Sequence, residues 1–145
     1  MLVCGDSHTC THGGVGTLGF GVGWTELTHV LATQTVIQRR PKTLCVKFEG
    51  TLRPGVTPKD MILYLIGQIS VDGGTGYAVE YAGSAIRAMS VEGRLTICNL
   101  SVELGSKMGL IAPDETTYAL SQGAGTGAQG CGLGPRGGRL AAAPE

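Results

Sequence analysis

Residues 44–69 constrain the fold of this chain more than any other stretch. Leu44, Cys45, Val46, Lys47, Phe48 and Glu49 alternate in polarity, with Leu44, Val46 and Phe48 sharing one face. That is the pattern of a half-buried strand. Gly50 and Pro54-Gly55 supply turns. Thr57 then stands at a helix cap, with Pro58 at the first helical position and Asp60 at the third. Met61, Ile62, Leu65, Ile66 and Ile69 recur at helical spacing and make a buried stripe. After a glycine-rich loop at 72–76, residues 77–81 read as a second strand. Strands alternating with helices predict an α/β fold.

The flanking sequence extends this pattern. A helix is expected from Trp24 to about Gln38, with Leu27, Val30, Leu31 and Ile37 at helical spacing and Pro41 as its stop. Ser84 to Met89 reads as a short helix. Ser90 caps a third helix expected to run to about Gly105, where glycine ends it. Residues 1–23 are glycine-rich with no clear period and read as loop. From Ala119 onward eight glycines, at 123, 125, 127, 130, 132, 134, 137 and 138, accompany almost no apolar period. Such a tail cannot bury enough surface to offset its ordering entropy, and residues 119–145 are expected to be disordered.

Charge excludes some functions. Eleven basic residues balance eleven acidic ones. There is no electrostatic case for a nucleic-acid partner or an anionic membrane surface. Charged residues make up 15% of the chain, against ~25% in a typical domain, as expected if part of the surface is covered by something else. The best apolar run, residues 61–66, is far short of the ~20 needed to span a bilayer. No basic region precedes an apolar one at the N-terminus. Cys4, Cys10, Cys45, Cys98 and Cys131 are odd in number, without a C-x-x-C pair. They read as reduced thiols of a cytoplasmic protein.

Three chemistries compete in the first twenty residues. His8 and His12 bracket Cys10 and could hold a metal on a helix face, but Gly5, Gly13 and Gly14 oppose a helix. Residues 14–19 match G-x-G-x-x-G, although a dinucleotide site needs a strand before it and a helix opening at the glycines. Asp6, Ser7 and His8 could instead aim separate groups into one cleft for acid–base and carboxylate-binding work. As neighbours they cannot form a hydrolase triad. Farther on, Asn99 and Glu103 are four residues apart on the expected third helix and would share a face. Leu95, Leu100 and Val102 are nearby, so the Glu103 carboxylate is expected to be partly buried and to need a partner. Histidine is the natural one, and a His–carboxylate pair is a tuned acid or base.

Six blocks, in order, resemble the aconitase superfamily. They are Cys4-Gly5-Asp6-Ser7-His8-Thr9 with Thr11-His12-Gly13; His29-Val30-Leu31-Ala32-Thr33-Gln34; residues 72–76; Glu92-Gly93-Arg94; residues 98–103; and residues 112–117. The resemblance spans about residues 2–118 and is strongest to the branch that isomerises isopropylmalate in leucine biosynthesis. It implies dehydration and rehydration of a hydroxy-acid at a 4Fe-4S cluster with one iron lacking a cysteine ligand. It also implies histidine–carboxylate pairs and a small subunit whose swivelling domain supplies a serine base. Carried over, Asp6 pairs with a histidine outside this chain and Ser7 binds a substrate carboxylate. His8 pairs with Glu103 near the departing hydroxyl, and Asn99 approaches the cluster without ligating it.

The cluster-binding cysteine motifs and the arginine-rich substrate motif of the superfamily are absent here. The expectation is therefore a fragment of the three-layer α/β domains of the family. Residues 1–41 would be the last piece of one α/β domain, 42–118 a second small one, and 119–145 a tail from a shifted reading frame or cloning scar. No cluster and no activity are expected of the isolated chain. Homoaconitate, methylmalate-type acids and citrate remain alternative substrates. A non-catalytic structural fragment, or a nucleotide-binding module on residues 14–19, remains an alternative function.

Overall fold

A computed structural model describes residues 1–123. The element order begins with β1 (Leu2–Cys4), a 3₁₀ segment (Thr9–Val15), β2 (Gly19–Gly21) and α1 (Trp24–Thr33). It continues through β3 (Lys42–Lys47), α2 (Pro58–Ile69), β4 (Tyr77–Ala82), α3 (Ser84–Arg87) and α4 (Val91–Asn99). A 3₁₀ turn (Val102–Leu104), β5 (Met108–Leu110) and α5 (Glu115–Gly123) complete it. The α/β class is as expected.

All strand pairs are parallel. β3, β4 and β5 form one sheet in that order, with Leu44 opposite Val79 and Val79 opposite Gly109. Parallel neighbours require crossovers, supplied by α2 and by α3–α4. Both crossovers cover the same face. Val79 and Tyr81 point into a core with Met61 and Ile62 of α2, Ile86 of α3, and Ile97 and Cys98 of α4. Leu44, Val46 and Phe48 pack against it, as their alternation predicts, while Thr43, Cys45, Lys47 and Glu80 are exposed. On the other face, Ala78 and Met108 pack against Cys10 of the 3₁₀ segment and Val102.

The α2 start follows its sequence signal closely. Thr57 Oγ accepts from the Asp60 backbone N–H at 3.3 Å, and the Asp60 carboxylate accepts from the Thr57 N–H at 2.8 Å. The Thr57 hydroxyl, which donates to the same carboxylate at 2.6 Å, and then the Thr57 N–H hold the Asp60 carboxyl below its ordinary range.

Four expectations change. Residues 1–23 are not simply loop. β1 and β2 pair in parallel and the 3₁₀ segment lies between them; three-residue strands are too short to show a period. α1 stops at Thr33, where Gln34 turns left-handed at φ 56°. No residue of α1 is fully buried: Leu27, against Gly5, and Val30 are half-buried, while Leu31 is exposed. The third helix ends at Asn99, not Gly105. The Ser101 carbonyl accepts from the Ser106 N–H, and the Gly105 N–H turns instead to Val102 at 2.9 Å. Gly105 then takes φ +81°, a conformation L side chains rarely adopt. The expected disorder from residue 119 also changes where it can be read. Residues 119–123 continue α5, while 124–145 lie outside the described residues.

A clamp joins α4 to the start of α5. Arg94 is fully buried, and its guanidinium meets the Asp114 carboxylate through two bonds of 2.7 and 2.8 Å. It also donates to the Met89 and Arg87 carbonyls. Asp114 in turn accepts from the Thr116 and Thr117 N–H groups that open α5. Arg94 depresses the Asp114 carboxyl pKa. Two of the six sequence blocks therefore meet in a structural clamp.

Candidate active site

β1 ends at Cys4, and the chain turns at once through Gly5 to His8. Ligands of parallel α/β sheets bind beyond such carboxyl ends. The turn is locked locally. Asp6 Oδ1 accepts from the His8 N–H at 2.7 Å, and the Asp6 carbonyl accepts from the Thr9 N–H and hydroxyl. Asp/Ser/Thr turns of this kind form because short polar side chains reach their own backbone.

The turn sets His8 between two groups. Its Nδ1 lies 2.9 Å from Ser7 Oγ, and its Nε2 lies 3.4 Å from Glu103 Oε1. The Ser7 contact is a hydrogen bond, which Nδ1 accepts from the Ser7 hydroxyl when the ring proton is on Nε2, whereas Glu103 stands at ion-pair distance from Nε2. The two side chains are 39% and 56% exposed. The partly buried carboxylate expected at Glu103 is therefore corrected. Glu103 points outward from a 3₁₀ turn whose Leu104 is fully buried, because α4 has already ended at Asn99. An exposed pair of this kind contributes roughly 0–1 kcal/mol to stability.

Two glycines permit the approach of the two segments, which are far apart in sequence. A Cβ on Gly13 would lie 1.8 Å from the Gly109 carbonyl oxygen, and one on Gly14 would lie 2.7 Å from the Leu95 nitrogen. Backbone thus packs on backbone, and the Ile111 N–H donates to the Gly13 carbonyl at 2.9 Å. Behind the site, Tyr81 Oη and Ser101 Oγ share a buried hydrogen bond of 2.9 Å.

Asn99 lies apart from the His8–Glu103 contact. Its Nδ2 donates to Thr11 Oγ at 2.8 Å, beside an open cleft of about 340 Å³ lined also by Lys59, Leu95, Thr96 and Leu100. Asp6 is exposed and its Oδ1 is committed to the turn. A larger hollow of about 580 Å³ lies between β3 and α2. Its acids are already occupied, Glu49 by Ser84 and Asp60 by Thr57. His8, Ser7 and Glu103 line neither, so the chemistry-bearing groups form an open wall, not a closed pocket.

The other readings of this segment do not fit. Of the G-x-G-x-x-G glycines, Gly14 lies within the 3₁₀ segment, Gly16 caps its end and Gly19 begins β2, so no α-helix opens at them. His12 Nδ1 lies 3.1 Å from the Thr9 carbonyl, Cys10 is buried, and no three His, Cys, Asp or Glu side chains among the described residues could hold a metal. Nor do these residues fit a 4Fe-4S cluster. Cys4 and Cys45 are exposed on different sheets, and burial pushes the Cys10 and Cys98 thiols up, away from the thiolate a cluster needs. Cys131 lies outside the described residues.

Sequence reasoning missed Thr11, which stood in a block without a role. Its signal was weak: a hydroxyl three residues after His8, within reach of that residue's carbonyl.

The family model described as "Aconitase family (aconitate hydratase)" matches residues 1–130, past the 118 expected from the motifs. The chain is 72% identical over 123 residues to the 3-isopropylmalate dehydratase large subunit 1 of Bradyrhizobium diazoefficiens. The match covers 85% of this chain and 26% of that relative.

Proposed function

This chain belongs to the aconitase family, and on that premise we propose that it forms one wall of a hydro-lyase active site acting on 2-isopropylmalate. The observation that carries the proposal is the His8–Glu103 contact, 3.4 Å between groups 95 positions apart. The identity to a 3-isopropylmalate dehydratase large subunit supports the substrate. In the whole enzyme the 4Fe-4S cluster, the small subunit and the remaining acid–base pairs would come from polypeptide beyond these residues.

His8 is the proposed acid and base, oriented through Nε2 by Glu103. Ser7 is the proposed contact to a substrate carboxylate, and its single proton links the two roles. In the resting arrangement that proton points to His8 Nδ1. A carboxylate arriving at Ser7 takes the proton as its own hydrogen bond, and Ser7 Oγ becomes an acceptor. His8 then faces an acceptor at Nδ1 and the Glu103 carboxylate beside Nε2, an arrangement that suits protons on both nitrogens. Carboxylate binding thus favours the imidazolium, the form that can give a proton to a departing hydroxyl. Asp6 shapes the turn and offers Oδ2 to a partner outside this chain. Asn99, tied to Thr11, is proposed to face the cluster.

The test is a chimera in which residues 1–123 replace the matching segment of the Bradyrhizobium large subunit, assembled with its small subunit, iron and sulfide. Turnover of 2-isopropylmalate, with citrate and homoaconitate much slower, is the expected result. Preferential turnover of either competitor would reject the substrate assignment. No turnover by a cluster-loaded chimera would reject the reading of this wall.

A further inference from the structure

We propose that Thr11 is the positioning residue that holds His8 opposite Glu103; the proposal rests on the functional reading of that pair. The turn carrying His8 is closed by bonds within residues 6–11. These fix its shape but not its distance from a carboxylate on another segment. Cross-links to α4 must set that distance.

Thr11 makes such a link with one hydroxyl. Its Oγ donates to the His8 carbonyl at 2.6 Å and accepts from Asn99 Nδ2 at 2.8 Å. A hydroxyl has one proton to give and lone pairs to receive, so both bonds form at once and in one sense only. The path from the His8 backbone to the last residue of α4 is therefore a single side-chain atom. Glu103 follows four residues later, in the 3₁₀ turn anchored below by Ser101 and Tyr81. Cys10 adds a long thiol contact of 3.5 Å to the Asn99 carbonyl and packs against Val102, beside Glu103, with its thiol also meeting the Val102 backbone; these are thiol and apolar contacts, softer than the two short hydroxyl bonds of Thr11. The packing at Gly13 and Gly14 brings the segments together but lies beyond Thr11, away from His8.

Threonine and valine have the same shape, so Thr11→Val removes both bonds while keeping the packing. Thr11→Ser keeps the hydroxyl and removes a methyl. Proton NMR of the 145-residue chain would read the nuclear Overhauser contact between the His8 ring protons and the Glu103 side chain. The expected result is at least a halving of that contact in Thr11→Val and retention in Thr11→Ser, with the amide spectrum elsewhere unchanged in both. A contact undiminished in Thr11→Val would overturn the proposal. So would its loss in Thr11→Ser, which stays informative should the valine variant not fold. If the contact is missing in the unmodified chain, the pair is not formed in solution and the proposal fails with it. If it is present and follows the hydroxyl but the chimera above is inactive, the positioning role stands and the functional reading alone fails.

Discussion

Removing the Asp114 carboxylate should destabilise the fold by an amount the structure allows to be estimated. Arg94 is fully buried and makes four hydrogen bonds, two of them to Asp114. Breaking one side of a buried pair typically costs ~3–5 kcal/mol, because the remaining charge is left uncompensated. Asp114 is 35% exposed, so water reaches its side of the pair, and a loss of about 2–3 kcal/mol is expected for Asp114→Asn. Asparagine can still accept from the Thr116 and Thr117 N–H groups. Asp114→Ala loses those as well and should cost about 1 kcal/mol more, the usual worth of a helix cap. Urea unfolding followed by circular dichroism measures both. The expected sign is a lower midpoint at constant slope. The pH dependence follows from the depressed Asp114 pKa. A depressed carboxyl contributes stability that is complete above its ordinary 3.8 and lost as pH falls through the lower folded value. The gap between the native chain and Asp114→Asn should therefore hold at neutral pH and close below 3.8. A loss under about 0.5 kcal/mol for both variants, or a gap that persists at low pH, would refute the clamp argument.

Gly13→Ala places a Cβ 1.8 Å from a carbonyl oxygen, and should cost upwards of about 2 kcal/mol through overpacking while weakening the His8–Glu103 contact in the same NMR spectra. Brief alkylation of the native chain, read by peptide mass spectrometry, should label exposed Cys4 and Cys45 and spare Cys10 and Cys98, whose thiols burial keeps protonated. Labelling of all four at equal rates would contradict the packing of α4 against the N-terminal segment. Anaerobic incubation of the isolated chain with iron and sulfide should give no visible cluster absorbance after desalting, since the described residues gather no ligand set; a stable brown protein would overturn that.

Local signals proved legible where the physics is local. The Thr57–Asp60 cap and the Leu44–Val46–Phe48 alternation each depend on residues within a few positions. The end of α4 does not. It depends on Ser101 meeting Tyr81 and Ser106, contacts invisible to helical periodicity, which therefore ran on to Gly105. The exposure of Glu103 was misjudged for the same reason. β1, β2 and β5 have three residues each and offer no period to read. The pairing of His8 with Glu103 came from the family resemblance, since no spacing rule links positions 95 apart. The helix-face argument offered for Asn99 and Glu103 does not hold in the fold, because the helix stops between them.

The central claim is that His8 works as acid and base because Glu103 holds it. Steady-state kinetics of the chimera carrying Glu103→Gln test this most directly. Glutamine keeps the shape and removes the charge, and general acid–base contributions run to ~10²–10⁴-fold. The account predicts a fall in kcat for 2-isopropylmalate within that range with KM nearly unchanged and cluster content intact. A kcat within about twofold of the unmodified chimera would contradict it.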